Sequence, residues 1–179
     1  MWSQDRYLAV YHFAARAHQG QIYPGTELPY ILHLAFVSME VIAALRDEPD
    51  HDGDLAVQCA LLHDVIEDTG VSYDELAMAF GIPVADGVLA LSKDTDLAKD
   101  AQMADSLWRI RLQPPEIWMV KLADRICNLQ PPPAHWTAEK VDRYRAEAEQ
   151  IHAALAEASP SLAARLREKI AAYRCENSR

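Results

Sequence analysis

Apolar residues recur three and four positions apart through most of this chain, and Pro and Gly stand between those stretches rather than inside them. Consecutive helices punctuate themselves in this way, and the spacing predicts roughly eight or nine helices with no strand. A first helix runs from a Ser3 cap to about His18 and stops at Gly20; the loop Gln21 to Pro29 leads to a second that ends near Arg46; Asp47 to Asp54 reads as loop. Leu55, Cys59, Leu62 and Ile66 share one face of a third helix over about Leu55 to Ile66. Ser72-Tyr73-Asp74-Glu75 is a capping box that opens a short helix to Phe80, and Pro83 suits the first turn of the next, which ends near Ser92. Beyond the polar Lys93 to Ala98, one helix ends before Pro114-Pro115 and another runs from Glu116 to about Gln130, where Pro131-Pro132-Pro133 stops it. Two more start at Thr137 and at Ser159-Pro160. Without an internal repeat or an interdomain linker, the expected fold is all-α: one irregular helical domain over residues 1–179, not an up-down bundle.

Composition narrows the partners. Half of the 179 residues are apolar and a quarter are charged, which excludes a disordered or low-complexity chain. A formal charge of −10 suits a phosphate-tracking nucleic-acid surface poorly, so no nucleic-acid partner is expected. Cys59, Cys127 and Cys175 form no Cys-x-x-Cys pair and leave an odd one, which points to a reducing cytoplasm rather than a disulfide framework. The start, Met1-Trp2-Ser3-Gln4-Asp5-Arg6, lacks the features of a signal peptide, and His33 and Glu40 interrupt the most apolar later stretch, so no membrane span is expected.

The sharpest chemical signal is His63-Asp64-Val65-Ile66-Glu67-Asp68, an apolar helix ending in four ionisable groups. Carboxylates at a helix C-terminus oppose the macrodipole, so something must offset them. The pairs His63/Glu67 and Asp64/Asp68 each share a face, and the turn should draw all four toward one point. Asp124 is the second signal, in line with Ile117, Val120 and Cys127 on an apolar stripe, with Lys121 one turn earlier and Asn128 one turn later. Such a carboxylate needs a cation or several donors, which an internal salt bridge to Lys121 or Arg125 would also supply. His33 is the third, a lone imidazole in Pro29-Tyr30-Ile31-Leu32-His33-Leu34; by itself it reads equally as a core histidine bonded to a carbonyl. Together His33, His63, Asp64 and Asp124 make a set suited to Mn²⁺ or Fe²⁺, and less distinctively to Zn²⁺, with positions left for water and a substrate oxygen.

Phe13-Ala14-Ala15-Arg16-Ala17-His18-Gln19-Gly20-Gln21, Pro29-Tyr30-Ile31-Leu32-His33, Ala60-Leu61-Leu62-His63-Asp64-Val65-Ile66-Glu67-Asp68-Thr69 and Val120-Lys121-Leu122-Ala123-Asp124-Arg125-Ile126-Cys127-Asn128-Leu129 run in this order over most of the chain. This pattern resembles the HD superfamily of metal-dependent phosphohydrolases, and within it the hydrolase domain of RelA/SpoT proteins and the small alarmone hydrolases. The resemblance implies an HD-domain helical fold, one Mn²⁺ per chain, and removal of the 3′-pyrophosphate from guanosine tetra- or pentaphosphate. It maps the metal set onto His33, His63, Asp64 and Asp124, the water-activating pair onto Glu67 and Asp68, and nucleotide contacts onto Asn128 and Tyr144. Tyr144 reads equally as a half-buried aromatic. Lys93, Lys99, Arg109 and Arg111 are candidates for the substrate's phosphates, or simply a solvated mixed-charge surface, and Lys121 is a further substrate-binding candidate.

Two positions depart from the pattern. Relatives carry an Arg-Lys pair in the loop before Pro-Tyr-x-x-His, where this chain reads Gln21-Ile22-Tyr23-Pro24-Gly25-Thr26-Glu27-Leu28, and Leu34 replaces the proline after the histidine. With Tyr23 near the nucleoside, adenosine counterparts become plausible substrates beside the guanosine ones. Because the hydrolase-like region takes up the whole chain, degradation of alarmones without synthesis is expected. Two other readings share the metal set: an HD-type 5′-nucleotidase on nucleoside monophosphates, and a non-catalytic nucleotide-binding HD module.

Overall fold

The side chains of Ser3, Asp52, Ser72, Thr137 and Ser159 each accept a hydrogen bond from the backbone N–H three residues on, and each begins a helix. The computed structural model describes residues 1–133 and 135–174; Cys175 lies outside them. The helices are α1 (Gln4–Ala17), α2 (Ile31–Asp47), α3 (Gly53–Leu62), α4 (Val65–Asp68), α5 (Tyr73–Phe80), α6 (Ile82–Leu91), α7 (Lys99–Arg111), α8 (Pro115–Asn128), α9 (Ala138–Leu155) and α10 (Pro160–Ala172), with a 3₁₀ turn at Ala156–Ala158. The fold is all-α. The one extended pairing among the described residues is a single antiparallel bridge between Ile22 and Pro29, which closes the loop from α1 to α2. The Ser72/Glu75 capping box forms as the sequence predicts.

The central pair is α3 and α8. Helix α3 packs on α1, α2, α6 and α8, and α8 packs in turn on α2, α9 and α10. Ala56, Cys59, Ala60, Leu61 and Leu62 of α3, with Ile117, Met119, Val120, Leu122 and Ala123 of α8, are completely buried. Helix α6 approaches this pair at Gly87, where a Cβ would meet Ile117 Cδ1 at 2.5 Å and Cys59 Sγ at 3.0 Å, so the missing side chain allows the contact. The free thiols Cys59 and Cys127 are buried. Among the described residues no helix is long and apolar enough to cross a membrane.

The third helix differs from its sequence expectation in both limits. It begins two residues earlier, at Gly53 behind the Asp52 cap, and breaks after Leu62 instead of continuing to Ile66. His63 turns its ring back onto the Ala60 carbonyl at 2.9 Å, and the backbone flattens at Asp64 (φ −100°, ψ −1°) before α4 adds one further turn. Periodicity cannot reveal this break, because the apolar pattern runs through it.

Candidate active site

Four side chains from three places in the fold converge at that break. His33 comes from the first turn of α2, His63 and Asp64 from the break after α3, and Asp124 from α8. One ligand atom each of His33, His63 and Asp64 lies within 4.8 Å of the others. Asp64 Oδ2 stands 2.9 Å from His63 Nε2 and 3.6 Å from His33 Nε2, while Asp124 Oδ1 stands 3.3 Å from His33 Nε2 and 3.8 Å from His63 Nε2. Asp124 pairs with Lys121 at 3.2 Å and accepts from the Asn128 amide, so the ion pair and the ligand position coexist rather than compete.

The donor set fits a divalent cation. A carbonyl can only accept, so the Ala60 contact requires a hydrogen on His63 Nδ1 and leaves Nε2 to face the cluster. That Nε2 is buried without an aligned hydrogen-bond partner, although a carboxylate oxygen is 2.9 Å away. Charge is held there all the same. Burial disfavours the imidazolium, but Asp64, Asp124 and the Ala60 carbonyl outweigh it and push the His63 pKa up to about 9. Burial likewise opposes ionisation of both carboxylates, yet the His63 imidazole holds Asp64 low, and Lys121 with the two imidazoles holds Asp124 well below the usual range.

Around this centre the expected water-activating pair is held from two sides. Glu67 accepts from the Lys93 backbone N–H at 2.9 Å and pairs with the Lys93 ammonium at 2.7 Å. Asp68 accepts from the Gln21 amide at 3.0 Å. The four ionisable groups thus split: His63 and Asp64 face the cluster, while Glu67 and Asp68 are tied to flanking segments. Tyr30 donates to Asp64 Oδ2 at 2.5 Å; burial and the adjoining carboxylates Asp64, Asp68 and Asp124 push its phenol pKa far up, so it stays a donor.

Of the expected substrate contacts, Tyr23 and Asn128 lie against the cluster. The Tyr23 ring stacks on His33 at 5.7 Å and 12° and meets the Tyr30 ring edge-on at 6.4 Å. Tyr144 sits instead in an aromatic group, 5.4 Å from Trp136 and 5.9 Å from Tyr173, with the Arg125 guanidinium 4.3 Å over its ring; burial pushes its pKa up to about 12. Lys99 is exposed at the start of α7, and among the described residues no hydrogen bond or ion pair joins it to the cluster. Arg109 is committed elsewhere: it donates to the Leu89, Ala90 and Ser92 carbonyls and pairs with Asp105. Arg111 stacks over Trp118 at 5.6 Å. Three residues beside the cluster had no assigned role, namely His18, Gln21 and Tyr30. Helical spacing carries a signal for two of them, since His18 follows Val10 and Ala14 on a buried face and Tyr30 precedes His33 by three positions.

The HD domain family model matches residues 10–160. The guanosine-3′,5′-bis(diphosphate) 3′-pyrophosphohydrolase MESH1 of Danio rerio is 31% identical over 153 residues, which cover 80% of this chain and 81% of that protein. A GTP pyrophosphokinase of Myxococcus xanthus is 35% identical over 156 residues, 82% of this chain but 20% of that protein. A solved structure described as a metazoan ortholog of SpoT that hydrolyses ppGpp superposes with a TM-score of 0.80 at 26% identity, covering 96% of this chain and 97% of that one.

Proposed function

The chain belongs to the HD domain family, and on that premise we propose that it is a Mn²⁺-dependent hydrolase that removes the 3′-pyrophosphate from alarmone nucleotides, guanosine tetra- and pentaphosphate and their adenosine counterparts. The observation that carries the reading is the convergence of His33, His63, Asp64 and Asp124, with His63 Nδ1 committed to a carbonyl and Nε2 facing two carboxylates. These four side chains would hold the ion. Bound there, it supplies a water pKa lowered from about 15.7 toward roughly 7 and polarises a phosphoryl oxygen.

The rest falls to the chain's own side chains. Water adds at the phosphorus joined to the ribose 3′-oxygen, the bond to that oxygen breaks, and the oxygen takes up a proton as pyrophosphate and the nucleoside 5′-di- or triphosphate separate. Asp68 and Glu67, one residue apart and beside the metal ligands, orient the water and receive its proton. Lys121 and Asn128 fix the Asp124 carboxylate from both sides. Tyr23 offers its ring to the nucleoside, while Tyr144 and Lys99 stand as more distant substrate contacts. The buried free thiols support a reducing, cytoplasmic setting, with a small-molecule nucleotide as the partner.

The test is purified chain with Mn²⁺ and a nucleotide panel, resolved by ion exchange. Pyrophosphate and nucleoside 5′-diphosphate from a 3′-pyrophosphorylated substrate are the expected products. Dephosphorylation of deoxynucleoside monophosphates alone would favour the nucleotidase, and tight nucleotide binding without turnover the non-catalytic module.

A further inference from the structure

We propose that His18 and Gln21 form a positioning pair that aims the Asp68 carboxylate during hydrolysis, with His18 also supporting Asp64 through Tyr30. The proposal rests on the hydrolase reading above. Gln21 reaches 47 residues along the chain to donate its Nε2 hydrogen to Asp68 Oδ2 at 3.0 Å, and its Oε1 lies 2.6 Å from His18 Nδ1. These two contacts fix the orientation of the amide. An ionised carboxylate only accepts, so the nitrogen must face Asp68, the oxygen must face His18, and His18 Nδ1 must carry the hydrogen.

The imidazole is itself locked. His18 is 4% exposed and stacks on Tyr30 at 5.0 Å and 28°, and the Tyr30 hydroxyl is the donor to Asp64 Oδ2. One ring therefore backs two carboxylates of the site, Asp68 through Gln21 and Asp64 through Tyr30. The backbone is built for the arrangement. Gly20 takes φ +85°, a left-handed turn in which an L side chain is strained, and Gln21 N–H bonds back to the His18 carbonyl at 3.0 Å. Tyr30 N–H then bonds to the Gln21 carbonyl at 2.9 Å, so residue 21 is anchored on both sides.

A purely structural role does not explain this choice of residues. His18 Nε2 is buried with no hydrogen-bond partner, an unfavourable situation that an apolar ring in the same place would avoid. What an apolar ring lacks is the Nδ1 hydrogen that orients Gln21. The neutral amide also holds Asp68 without cancelling its charge, whereas Glu67 is held by the Lys93 ammonium.

The test is steady-state kinetics of Gln21→Glu and His18→Phe, each alone and combined with Asp68→Asn. Gln21→Glu keeps the shape and removes the donor; His18→Phe keeps the stack on Tyr30 and removes the Nδ1 hydrogen. Each single change is expected to lower kcat about 10- to 100-fold with KM, bound Mn²⁺ and Tm unchanged, the range typical of outer-shell partners. In the Asp68→Asn background neither should lower kcat further. A kcat within twofold of wild type, or an equal loss in both backgrounds, overturns the proposal. The Gln21 side-chain amide is followed by NMR in parallel: the contact is expected to slow its hydrogen exchange in the wild type, and that slowing should be lost in Asp68→Asn and in His18→Phe. Exchange unaltered by both changes overturns the pair whether or not the chain turns over. A wild-type chain inactive on the whole panel, with slow amide exchange intact, instead overturns the hydrolase reading and the positioning role that depends on it.

Discussion

Asp64 touches both His63 and Tyr30 and contributes an oxygen to the buried centre, so Asp64→Ala removes charge and geometry together. Stoichiometric Mn²⁺ binding, measured by metal analysis after gel filtration, and turnover are both expected to vanish. Glu67→Gln should behave differently. The amide keeps its shape and can still accept from the Lys93 backbone N–H, so metal is retained while kcat drops by about 10² to 10⁴. Co-loss of Mn²⁺ in that variant would make Glu67 a ligand. Base preference is also decided by single residues. With Tyr23 against His33 and no Arg-Lys pair in the loop, a nucleoside bound as proposed would meet a ring rather than cationic donors to the O6 and N7 acceptors of guanine. The kcat/KM for an adenosine 3′-pyrophosphate is expected to equal or exceed that of its guanosine match at fixed Mn²⁺; a guanosine preference above about tenfold, roughly 1.4 kcal/mol, would refute it. The sequence displayed the four side chains that cluster because each sits beside a local oddity: a histidine in an apolar run, a carboxylate on a core stripe. It hid the Gln21 to Asp68 and Lys93 to Glu67 contacts, because ordinary polar residues in loops carry no sign of what they will meet 47 or 26 positions away.

At the level of elements, the caps and proline stops were written locally and form where expected, as at Ser72 and Pro115. The break at His63-Asp64 was not, because it depends on a side chain folding back onto its own helix. Arg109 illustrates the same limit. By sequence it was a candidate phosphate binder, yet its guanidinium closes the C-terminal end of α6 by donating to three carbonyls, a task invisible without the packing of α7 on α6. Arg109→Ala is accordingly expected to lower stability by about 1–2 kcal/mol in urea unfolding while KM stays at the wild-type value. A raised KM with unchanged stability would return Arg109 to the substrate.

For the molecule as a whole, a cation held as proposed at the junction of α2, α3 and α8 would bind the folded state alone. With free Mn²⁺ at 100 times its Kd the folded chain should gain about 2.7 kcal/mol. For a domain of this size that raises Tm by roughly 5–11 °C, at about 2–4 °C per kcal/mol. Differential scanning calorimetry with Mn²⁺ and after chelation checks this, and His33→Ala should abolish the shift. The fold class followed from apolar spacing and Pro/Gly punctuation, but which helices meet was decided by long-range burial that no periodicity encodes. Helix α2 shows what such meetings achieve. His33 stands near its start, and seven residues on, roughly 10 Å along the axis, buried Glu40 is gripped by two nitrogens of Arg165 at 2.6 and 2.7 Å. The helix that carries His33 is therefore tied at its middle to α10, which contributes none of the four clustered side chains. The placement of His33 thus leans on a helix that lies more than a hundred positions away in the sequence.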